Sequence, residues 1–441
     1  MIQLSDHFTC RRLLRFTFPS IIMLIFTSIY GVVDGFFVSN FVGKTPFAAV
    51  NLIMPYLMIL GCIGFMFGTG GSALIAKTMG EGKTEKANEI FSLLVYTSAA
   101  CGAALAVLGV LLLPRAAALM GAEGQLLRGC VVYGTINLAA LPFYILQFEF
   151  QCLFAAAEKP KLGLCVTVAA GLTNMVLDAV LVGVLRLGLE GAAAATALSQ
   201  LVGGAAPLVY FGRENTSRLR LVRCGFDGKT LRRACANGAS ELMSNISMSL
   251  VSMLFNVRLM TYAGENGIAA YGVLMYVSLI FQAVFLGYSV GAGPVISYHH
   301  GAENYEEGRG LLRRSLALIG VFSLLMFAAG QTLARPLSLL FVGYDPELLD
   351  ITVRAFAIFS FSFLFSGLAI FGSSFFTALN DGLTSALISF LRTLVFECLA
   401  VLLLPLVWGL DGVWLSTAAA DALAVAVTLA FLAGKRKKYR Y

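Results

Sequence analysis

The sequence predicts an all-α polytopic membrane protein, with twelve transmembrane helices in two pseudo-symmetric six-helix lobes. Of its 441 residues, 59% are hydrophobic and only 12% are charged, and the mean hydropathy is +0.84. A soluble protein carries about 25% charged residues. Long apolar segments also recur along the whole chain, and its two halves resemble each other at a constant offset. These three observations exclude a soluble protein and predict a duplicated membrane protein.

Twelve segments are apolar over the ~20 residues that a helix needs to cross a bilayer. They fall near 16–41, 47–76, 90–113, 128–155, 162–185, 191–211, 239–262, 268–297, 311–333, 350–378, 383–406 and 412–433. The longest polar stretch separates the sixth segment from the seventh. We therefore predict an N-lobe at 1–212, a cytoplasmic linker at 213–238, a C-lobe at 239–434 and a basic cytoplasmic tail at 435–441.

The basic residues predict the orientation. If the N-terminus is cytoplasmic, 23 of the 31 Lys and Arg residues lie on the inner side and six in the outer loops. Cytoplasmic loops carry such an excess, so both termini are predicted inside a plasma (inner) membrane. The net charge of +7 lies in short loops and the tail, where it suits anionic lipid headgroups rather than nucleic acid. The apolar segment after Arg11, Arg12 and Arg15 is too long for a signal peptide and is interpreted as the first anchor.

The cysteines and histidines give no sign of a metal site. The nine cysteines form no C-x-x-C pair, and the three histidines, His7, His299 and His300, have no metal-ligand spacing. We therefore predict no cofactor.

The two halves repeat each other. GKTPFAAVNLIMP begins at Gly43 and GENGIAAYGVLMY at Gly264, an offset of 221, and the same offset relates GLEGA at Gly188 to GLDGV at Gly409. Six helices is an even number, so the two copies share one orientation and form parallel repeats. That arrangement is typical of transporters that hold a substrate between two halves.

A carboxylate stands inside the first apolar segment, in the stretch SIYGVVDGFFVSNFVG that contains Asp34. A charge at membrane depth costs about 2.5–3.5 kcal/mol on insertion scales and marks a functional site by default. Counted at 1.5 Å per residue, Asp34 lies about 27 Å outward from Phe16 and Asp178 about 24 Å outward from Leu162. Thr196, near the start of the inward-running sixth segment, reaches the same level.

The neighbours of these carboxylates are also polar. Asn174 lies one helical turn before Asp178, and Tyr30 one turn before Asp34, so each pair shares a helix face. Two carboxylates, an amide and a hydroxyl would form an oxygen-rich pocket for a proton or a hard cation such as Na⁺. The alternative is that Asn174 and Thr196 only hydrogen bond across helices.

With these residues, the chain resembles the multidrug and toxic compound extrusion (MATE) family from end to end. The resemblance rests on Pro19 with Y-x-x-x-D at 30–34, AAVNLIMP at 48–55, N-x-x-x-D at 174–178, GLEGAAAAT at 188–196, and AAYGVLMYV and GYSVGAGPVISYHHGA in the second half. It implies twelve helices in two lobes and the export of diverse, often cationic compounds in exchange for H⁺ or Na⁺. The family's N-lobe cation site falls on Asp34, Asn174, Asp178 and Thr196. The family proline at which helix 1 bends falls on Pro19.

The sequence departs from one pattern of the family. Some members carry coupling acids on helices 7 and 10, but segment 10 here, FAIFSFSFLFSGLAIFGSSFF, has no carboxylate. Glu241 in segment 7 lies near the cytoplasmic end. We therefore predict that cation coupling resides in the first lobe.

Further polar and aromatic residues are candidates for lining a substrate cavity. Segment 7 carries a polar stripe with helical period, and aromatic rings suit flat cations. The candidates are Asn51, Gln147, Glu241, Asn245, Asn256, Tyr271, Tyr276, Gln282 and Glu397. Each also fits helix packing or hydrogen bonding between helices. Two roles stay open for Glu397 and Asp421: a structural ion pair with Arg392, or an acid that faces the substrate. Glu149 is predicted to be interfacial.

Together these features predict a secondary-active multidrug efflux antiporter that exports organic, mostly cationic compounds in exchange for H⁺ or Na⁺ by alternating access. Its predicted partners are small cationic molecules and membrane lipids, with no obligate protein partner. One alternative is a lipid-linked oligosaccharide or lipid flippase of related two-lobe design, which would favour a basic cavity. Another is a membrane-embedded enzyme, but the sequence shows no nucleophile or His/Asp/Glu cluster near an interface.

Overall fold

The structure is a computed structural model that describes residues 2–343 and 345–441, apart from the side chains of Phe36, Ser39, Asn40 and Lys44. The predicted outer position of the Lys44 side chain therefore lies outside the described residues. The first half contains six helical segments, α1 to α6. These are Cys10–Phe37, Thr45–Gly80, Thr84–Leu119, the pair Gly124–Ala139 and Leu141–Ala156 bent by 59°, Pro160–Val184 and Gly188–Gly212.

The second half contains two very long helical runs, Gly228–Gly301 and Gly382–Tyr439. A straight helix of 74 residues would extend about 110 Å, far beyond a hydrocarbon core of about 30 Å. Each run is broken at one glycine, Gly264 (φ 61°, ψ −147°) or Gly409 (φ 56°, ψ −133°). The runs therefore divide into α7 (228–263) with α8 (265–301), and α11 (382–408) with α12 (410–439). With α9, Tyr305–Val342, and α10, Pro346–Ala378, the described chain has the predicted twelve spanning helices.

The glycines of the repeated motifs form the turns at one end of the bundle. Gly43 (φ 112°) and Gly188 (φ 63°) have positive φ, as do Gly264 and Gly409, their counterparts at the offset of 221. Side chains other than glycine rarely adopt this backbone conformation. The duplication is thus preserved in the turns that join the paired helices.

The linker and the tail are more helical than their composition indicates. Helix α7 begins at Gly228, where the Asp227 side chain accepts hydrogen bonds from the backbone of Lys229 (3.0 Å) and Thr230 (3.2 Å). Within the polar stretch, helix is thus absent only from 213–227. At the other end, α12 runs to Tyr439, so the basic residues of the predicted tail occupy its last turns. Lys435 pairs with Asp381 at 2.6 Å.

The lobes meet near the end of the bundle where α1 begins, which we call the inner end after the predicted orientation. Helix α2 packs extensively on α7 and α8 there. A Cβ added at Gly80 would lie 2.1 Å from the Tyr298 carbonyl oxygen, and one at Gly301 would lie 2.1 Å from the Lys77 carbonyl oxygen. The two contacts are equivalent in the two halves, because the offset of 221 relates Gly80 to Gly301 and Lys77 to Tyr298. Backbone therefore touches backbone across a pseudo-two-fold axis, and the inner end is closed.

Candidate functional site

Three helices of the first lobe bring the predicted cation-site residues together. The Thr196 hydroxyl of α6 lies 3.5 Å from an Asp34 carboxylate oxygen on α1 and also donates to the Ala192 carbonyl oxygen at 3.1 Å. Asn174 and Asp178 of α5 lie against the same Asp34 carboxylate. Asp34, Asn174 and Asp178 are only 7%, 1% and 0% exposed. The structure thus encloses two acidic side chains inside the lobe.

Local backbone features allow this convergence. A Cβ at Gly171 of α5 would lie 2.4 Å from the Phe26 ring and 2.9 Å from the Tyr30 ring, so α1 and α5 approach closely because residue 171 is glycine. Asp178 begins a π-helical turn that runs to Val184. Such turns are rare and occur frequently at functional sites. The π turn follows Asn174 by one helical turn, so amide and carboxylate face the same neighbour.

The acceptors at this site outnumber the donors. Neither carboxylate oxygen of Asp178, nor the Asn174 side-chain oxygen, accepts a hydrogen bond from any group in the described part of the chain. Ionised carboxylates have no proton to donate, so Asp34 and Asp178 can bond to each other only through a shared proton or a cation. Buried acceptors without partners are costly. The donor set therefore fits a transported H⁺ or Na⁺, and the two acids would titrate as a coupled pair.

Further residues of the first lobe extend the site toward the inner end. The Gln147 side chain donates to the Tyr30 hydroxyl at 3.4 Å, and Gln151 donates to the Thr27 hydroxyl at 3.5 Å. Gln147 is 3% exposed and packs on Gly203. It therefore lies inside the first lobe, against Tyr30, rather than on an open cavity wall.

Tyr133 of α4 is a site residue that the sequence reasoning missed. Its side chain is completely buried and lies close to Asp34, Asp178 and Thr196. In the predicted orientation helix α4 runs inward, which puts Tyr133, near its start, in the outer half. The depth argument applied to α1, α5 and α6 would have identified Tyr133 had it been extended to α4.

Pro19 lies inside α1 and is buried, and the helix continues through it to Phe37. Proline has no N–H, so α1 lacks one backbone hydrogen bond at this point. The structure holds α1 as one helix here, and the bend that the family resemblance implies remains a prediction.

The cavity candidates of α7 lie near the seam between the lobes. Glu241 lines a pocket there, together with Thr69 and Ser72 of α2 and Ser289 of α8. The Asn245 side chain donates to the Glu241 carbonyl oxygen at 2.8 Å, a bond within its own helix. Asn256, about three helical turns further along α7, is half-buried.

The remaining candidates are spread over other surfaces. Asn51 is exposed and donates to the Phe47 carbonyl oxygen at 2.9 Å, and Gln282 donates to the Ser278 hydroxyl at 3.0 Å. Both bonds lie within one helix. Tyr276 is 40% exposed, whereas Tyr271 is 7% exposed. The structure therefore does not gather the candidates into one wall.

The acids of the second lobe differ in their partners. The Arg392 guanidinium donates to Asp421 at 2.7 Å, while Glu397 accepts from the Thr417 hydroxyl at 2.9 Å. Asp421 thus forms the ion pair, and Glu397 is left without an ion-pair partner in the described chain. Glu149 was predicted to be interfacial, but it is 0% exposed. The prediction was wrong because α2 approaches α4 closely at Gly68, where a Cβ would lie 3.0 Å from the Glu149 Cα.

No group of three or more His, Cys, Asp or Glu side chains within residues 2–343 and 345–441 is arranged to hold a metal ion. Any Na⁺ at the Asp34–Asp178 site would therefore depend on amide, hydroxyl and backbone oxygens as well as carboxylates.

Comparisons with known proteins follow the same division into halves. A sequence model of the MatE family matches residues 19–180 and again 242–402. A protein named multidrug export protein MepA from Staphylococcus haemolyticus is 24% identical over 370 residues, covering 81% of this chain and 80% of that protein. A protein of the same name from Staphylococcus saprophyticus is 23% identical over 429 residues, covering 96% and 91%.

The fold is also similar to that of solved structures. One, described as the outward-facing conformation of a multidrug resistance MATE family transporter of the MOP superfamily, superposes with a TM-score of 0.93. It is 20% identical in sequence and covers 98% of this chain and 97% of that chain. This likeness concerns the fold alone.

Proposed function

The chain belongs to the MatE family of multidrug and toxic compound extrusion transporters, and from that premise we propose that it exports organic, mostly cationic compounds in exchange for H⁺ or Na⁺. As a member of this family it is a multi-pass membrane transporter and not an enzyme. The enclosed pair Asp34–Asp178, with acceptor oxygens that lack donors, is the observation that carries the proposal.

The coupling ion binds at Asp34, Asn174, Asp178 and Thr196. Entry of H⁺ or Na⁺ from the outer side removes the repulsion between the two carboxylates. Because the acids belong to α1 and α5, this draws the two helices together. Movement of one charge across 100 mV supplies about 2.3 kcal/mol, before any concentration gradient is counted.

Substrate is released outward and the ion inward because the two lobes alternate. The backbone contacts of α2 with α7 and α8 close the inner end, so this structure corresponds to a state from which the coupling ion cannot leave inward. Return of the lobes opens the inner end, where the cation leaves and a new substrate enters from the cytoplasm. Both termini are cytoplasmic in this proposal, as the distribution of basic residues predicts.

Gradient-driven export of ethidium from proteoliposomes tests the proposal. An H⁺ gradient and a Na⁺ gradient are imposed separately on wild type and Asp34→Asn. Glu190→Gln, which neutralises an exposed acid at the outer start of α6, is the matched control. We expect one gradient to drive wild type and Glu190→Gln alike, and that gradient identifies the ion.

Asp34→Asn is expected to lose gradient-driven export while remaining folded, as judged by its elution profile and melting temperature. Full export by Asp34→Asn under either gradient would overturn the assignment of coupling to the first lobe. Failure of wild type under both gradients would overturn the antiport itself.

A further inference from the structure

The segment that precedes α1 lies at the inner end and is bonded to both lobes. Residues 3–8 contain a turn in which the Gln3 backbone N–H donates to an Asp6 carboxylate oxygen at 2.8 Å and the Asp6 N–H donates to the Gln3 carbonyl oxygen at 3.2 Å. The side chains of Leu4 and Phe8 are completely buried. Segments that flank the first helix of a domain are poorly ordered unless other contacts tie them down. The contacts of residues 3–8 therefore need an explanation.

The second lobe holds this segment through Glu307, in the first turn of α9. One Glu307 carboxylate oxygen accepts a hydrogen bond from the Phe8 backbone N–H at 2.9 Å, and the other lies 2.6 Å from Nδ1 of His7. A hydrogen bond to a carboxylate is about twice as strong as one between neutral groups. The Phe8 ring also packs edge-on against Phe16 of α1, with centroids 5.8 Å apart, and against His299 of α8, at 6.5 Å. Phe8 is thus in contact with both lobes.

The first lobe holds the segment on both sides of this contact. On one side, Thr9 caps α1, so the chain continues directly into the first helix. On the other side, the Leu4 backbone N–H donates to Glu158, in the turn between α4 and α5, at 2.7 Å. The Gln3 side chain accepts from Arg218 of the linker at 2.9 Å. Residues 3–8 are therefore a loop fixed to the first lobe at both ends, and Glu307 of the second lobe holds its middle.

Each of the two acids also has an arginine partner outside the loop. Glu307 pairs with Arg314 of its own helix at 3.0 Å, and Glu158 lies 3.6 Å from Arg218. Removal of the only partner of a buried charge is strongly destabilising. Here neither carboxylate would lose its cation if the loop moved away, so the contact between the loop and Glu307 can break and form again.

We propose that residues 3–8 are a latch that holds the inner end closed and releases Glu307 when the inner end opens. Phe8 precedes the start of α1 by two residues, which extend over at most about 7 Å. The lobes therefore cannot separate far beside α1 while Glu307 holds Phe8. Glu158 and Arg218 are positioning residues, because they fix the latch on the first lobe without touching the second. The inference rests on the alternating access of the proposed function and adds a device that touches neither the cation site nor the seam pocket of Glu241.

Distances between spin labels at positions 161 and 437 test the latch, without substrate or ion gradient. Both positions are exposed at the inner end, one in the first turn of α5 and the other in the last turns of α12. Glu307→Ala removes both bonds to the latch, so we expect it to raise the ratio of long to short distances by about ten-fold or more. Glu306→Ala, which removes an exposed acid one residue away, is the matched control and should give the wild-type distribution.

A double-mutant cycle shows whether the two anchors act through the same segment. Glu158→Ala should raise the ratio by a smaller factor, because the loop then loses one of its two attachments to the first lobe. Combined with Glu307→Ala it should add nothing, since the latch no longer holds the second lobe. Effects that multiply in the double variant would overturn the latch, because the two acids would then act independently.

Glu307→Gln keeps the test decisive if Glu307→Ala does not fold. The glutamine oxygen can still accept from the Phe8 N–H, but the charge is gone, so the ratio should rise by a smaller factor than in Glu307→Ala. A wild-type distance distribution in whichever Glu307 variant folds would overturn the latch.

The latch and the proposed antiport fail separately. If neither an H⁺ nor a Na⁺ gradient drives export by wild type, the antiport is refuted, but the distance distributions of the Glu307 variants still decide the latch. If those distributions match wild type while gradient-driven export is intact, only the latch is refuted.

Discussion

Replacement of Gly238 by alanine should separate the two lobes at their inner end. Gly238 of α7 faces the backbone of α2, and an added Cβ would lie 1.9 Å from the Met66 carbonyl oxygen and 2.8 Å from its carbonyl carbon. Ordinary van der Waals contact begins near 3.4 Å. The two helices must therefore move apart by about 1.5 Å, because backbone atoms cannot rotate away as a flexible side chain can.

The size of the effect follows from the cost of such overpacking, typically about 1–3 kcal/mol. The cost is paid only when the inner end is closed, so it shifts the equilibrium toward the state with an open inner end. Each 1.4 kcal/mol is a factor of ten in that ratio, which gives a shift of roughly 5- to 150-fold. The folded lobes themselves should persist, since the contact lies between them.

Distances between spin labels at positions 81 and 306 measure this shift. Both positions are exposed, in the loop after α2 and at the start of α9. Gly238→Ala should increase the population at long distance. Gly320→Ala is the control, because a Cβ there has no neighbour within 4 Å. Distance distributions for Gly238→Ala and wild type that coincide would refute the closure of the inner end by backbone contact.

Two further predictions concern stability. Gly264→Ala should lower the melting temperature, because a backbone at φ 61° and ψ −147° is strained for alanine by about 1–3 kcal/mol. Gly272→Ala, in ordinary helix, should leave the melting temperature unchanged. Equal melting temperatures for the two variants would refute the strain at Gly264. Burial raises the pKa of Asp381, but hydrogen bonds led by those of Lys435 and Tyr439 outweigh it and hold the pKa below its usual 3.8. The ionised Asp381 carboxylate then stabilises the folded state above pH 3.8, and this stabilisation is lost as the pH falls through the lower pKa of the folded protein. The melting temperature of Asp381→Asn should therefore lie below that of wild type by a constant difference from about pH 5 to 8, and the difference should shrink below about pH 4. A margin that widens in acid would contradict this sign.

The helices were predictable because the bilayer demands them. Each spanning segment must be apolar for ~20 residues and must satisfy its own backbone, so composition alone locates it. Helix α7 begins at Gly228, eleven residues before the apolar segment predicted near 239–262, so its first turns are polar. The capping signal of Asp227 followed by Gly-Lys-Thr was present in the sequence. Capping, rather than hydropathy, sets this boundary.

The site was predictable where depth and spacing determine it, and less so where helix rotation does. The structure brings together Asp34, Asn174, Asp178 and Thr196, which share one level and two short spacings. The burial of the Gln147 side chain inside the first lobe was not predicted. In a segment that is apolar on all sides, hydrophobic periodicity does not show which face meets which neighbour. Helix rotation also determines that Arg392 pairs with Asp421 rather than with Glu397, so this pairing was not predictable either.

Helix α1 connects the proposed cation site to the seam between the lobes. A Cβ at Gly287 of α8 would lie 2.5 Å from the Ile21 Cα, and one at Gly291 would lie 3.0 Å from the Thr17 Cα, so the inner part of α1 packs closely on the other lobe. Asp34 stands further out on the same helix, and Pro19 lies between the two backbone contacts, where α1 lacks a hydrogen bond. A change of charge at Asp34 that shifts α1 therefore also displaces the part of α1 that contacts α8. Since glycine leaves no side chain there to absorb the movement, the shift acts on backbone packing between the lobes, which is the contact that the proposed alternating access must break.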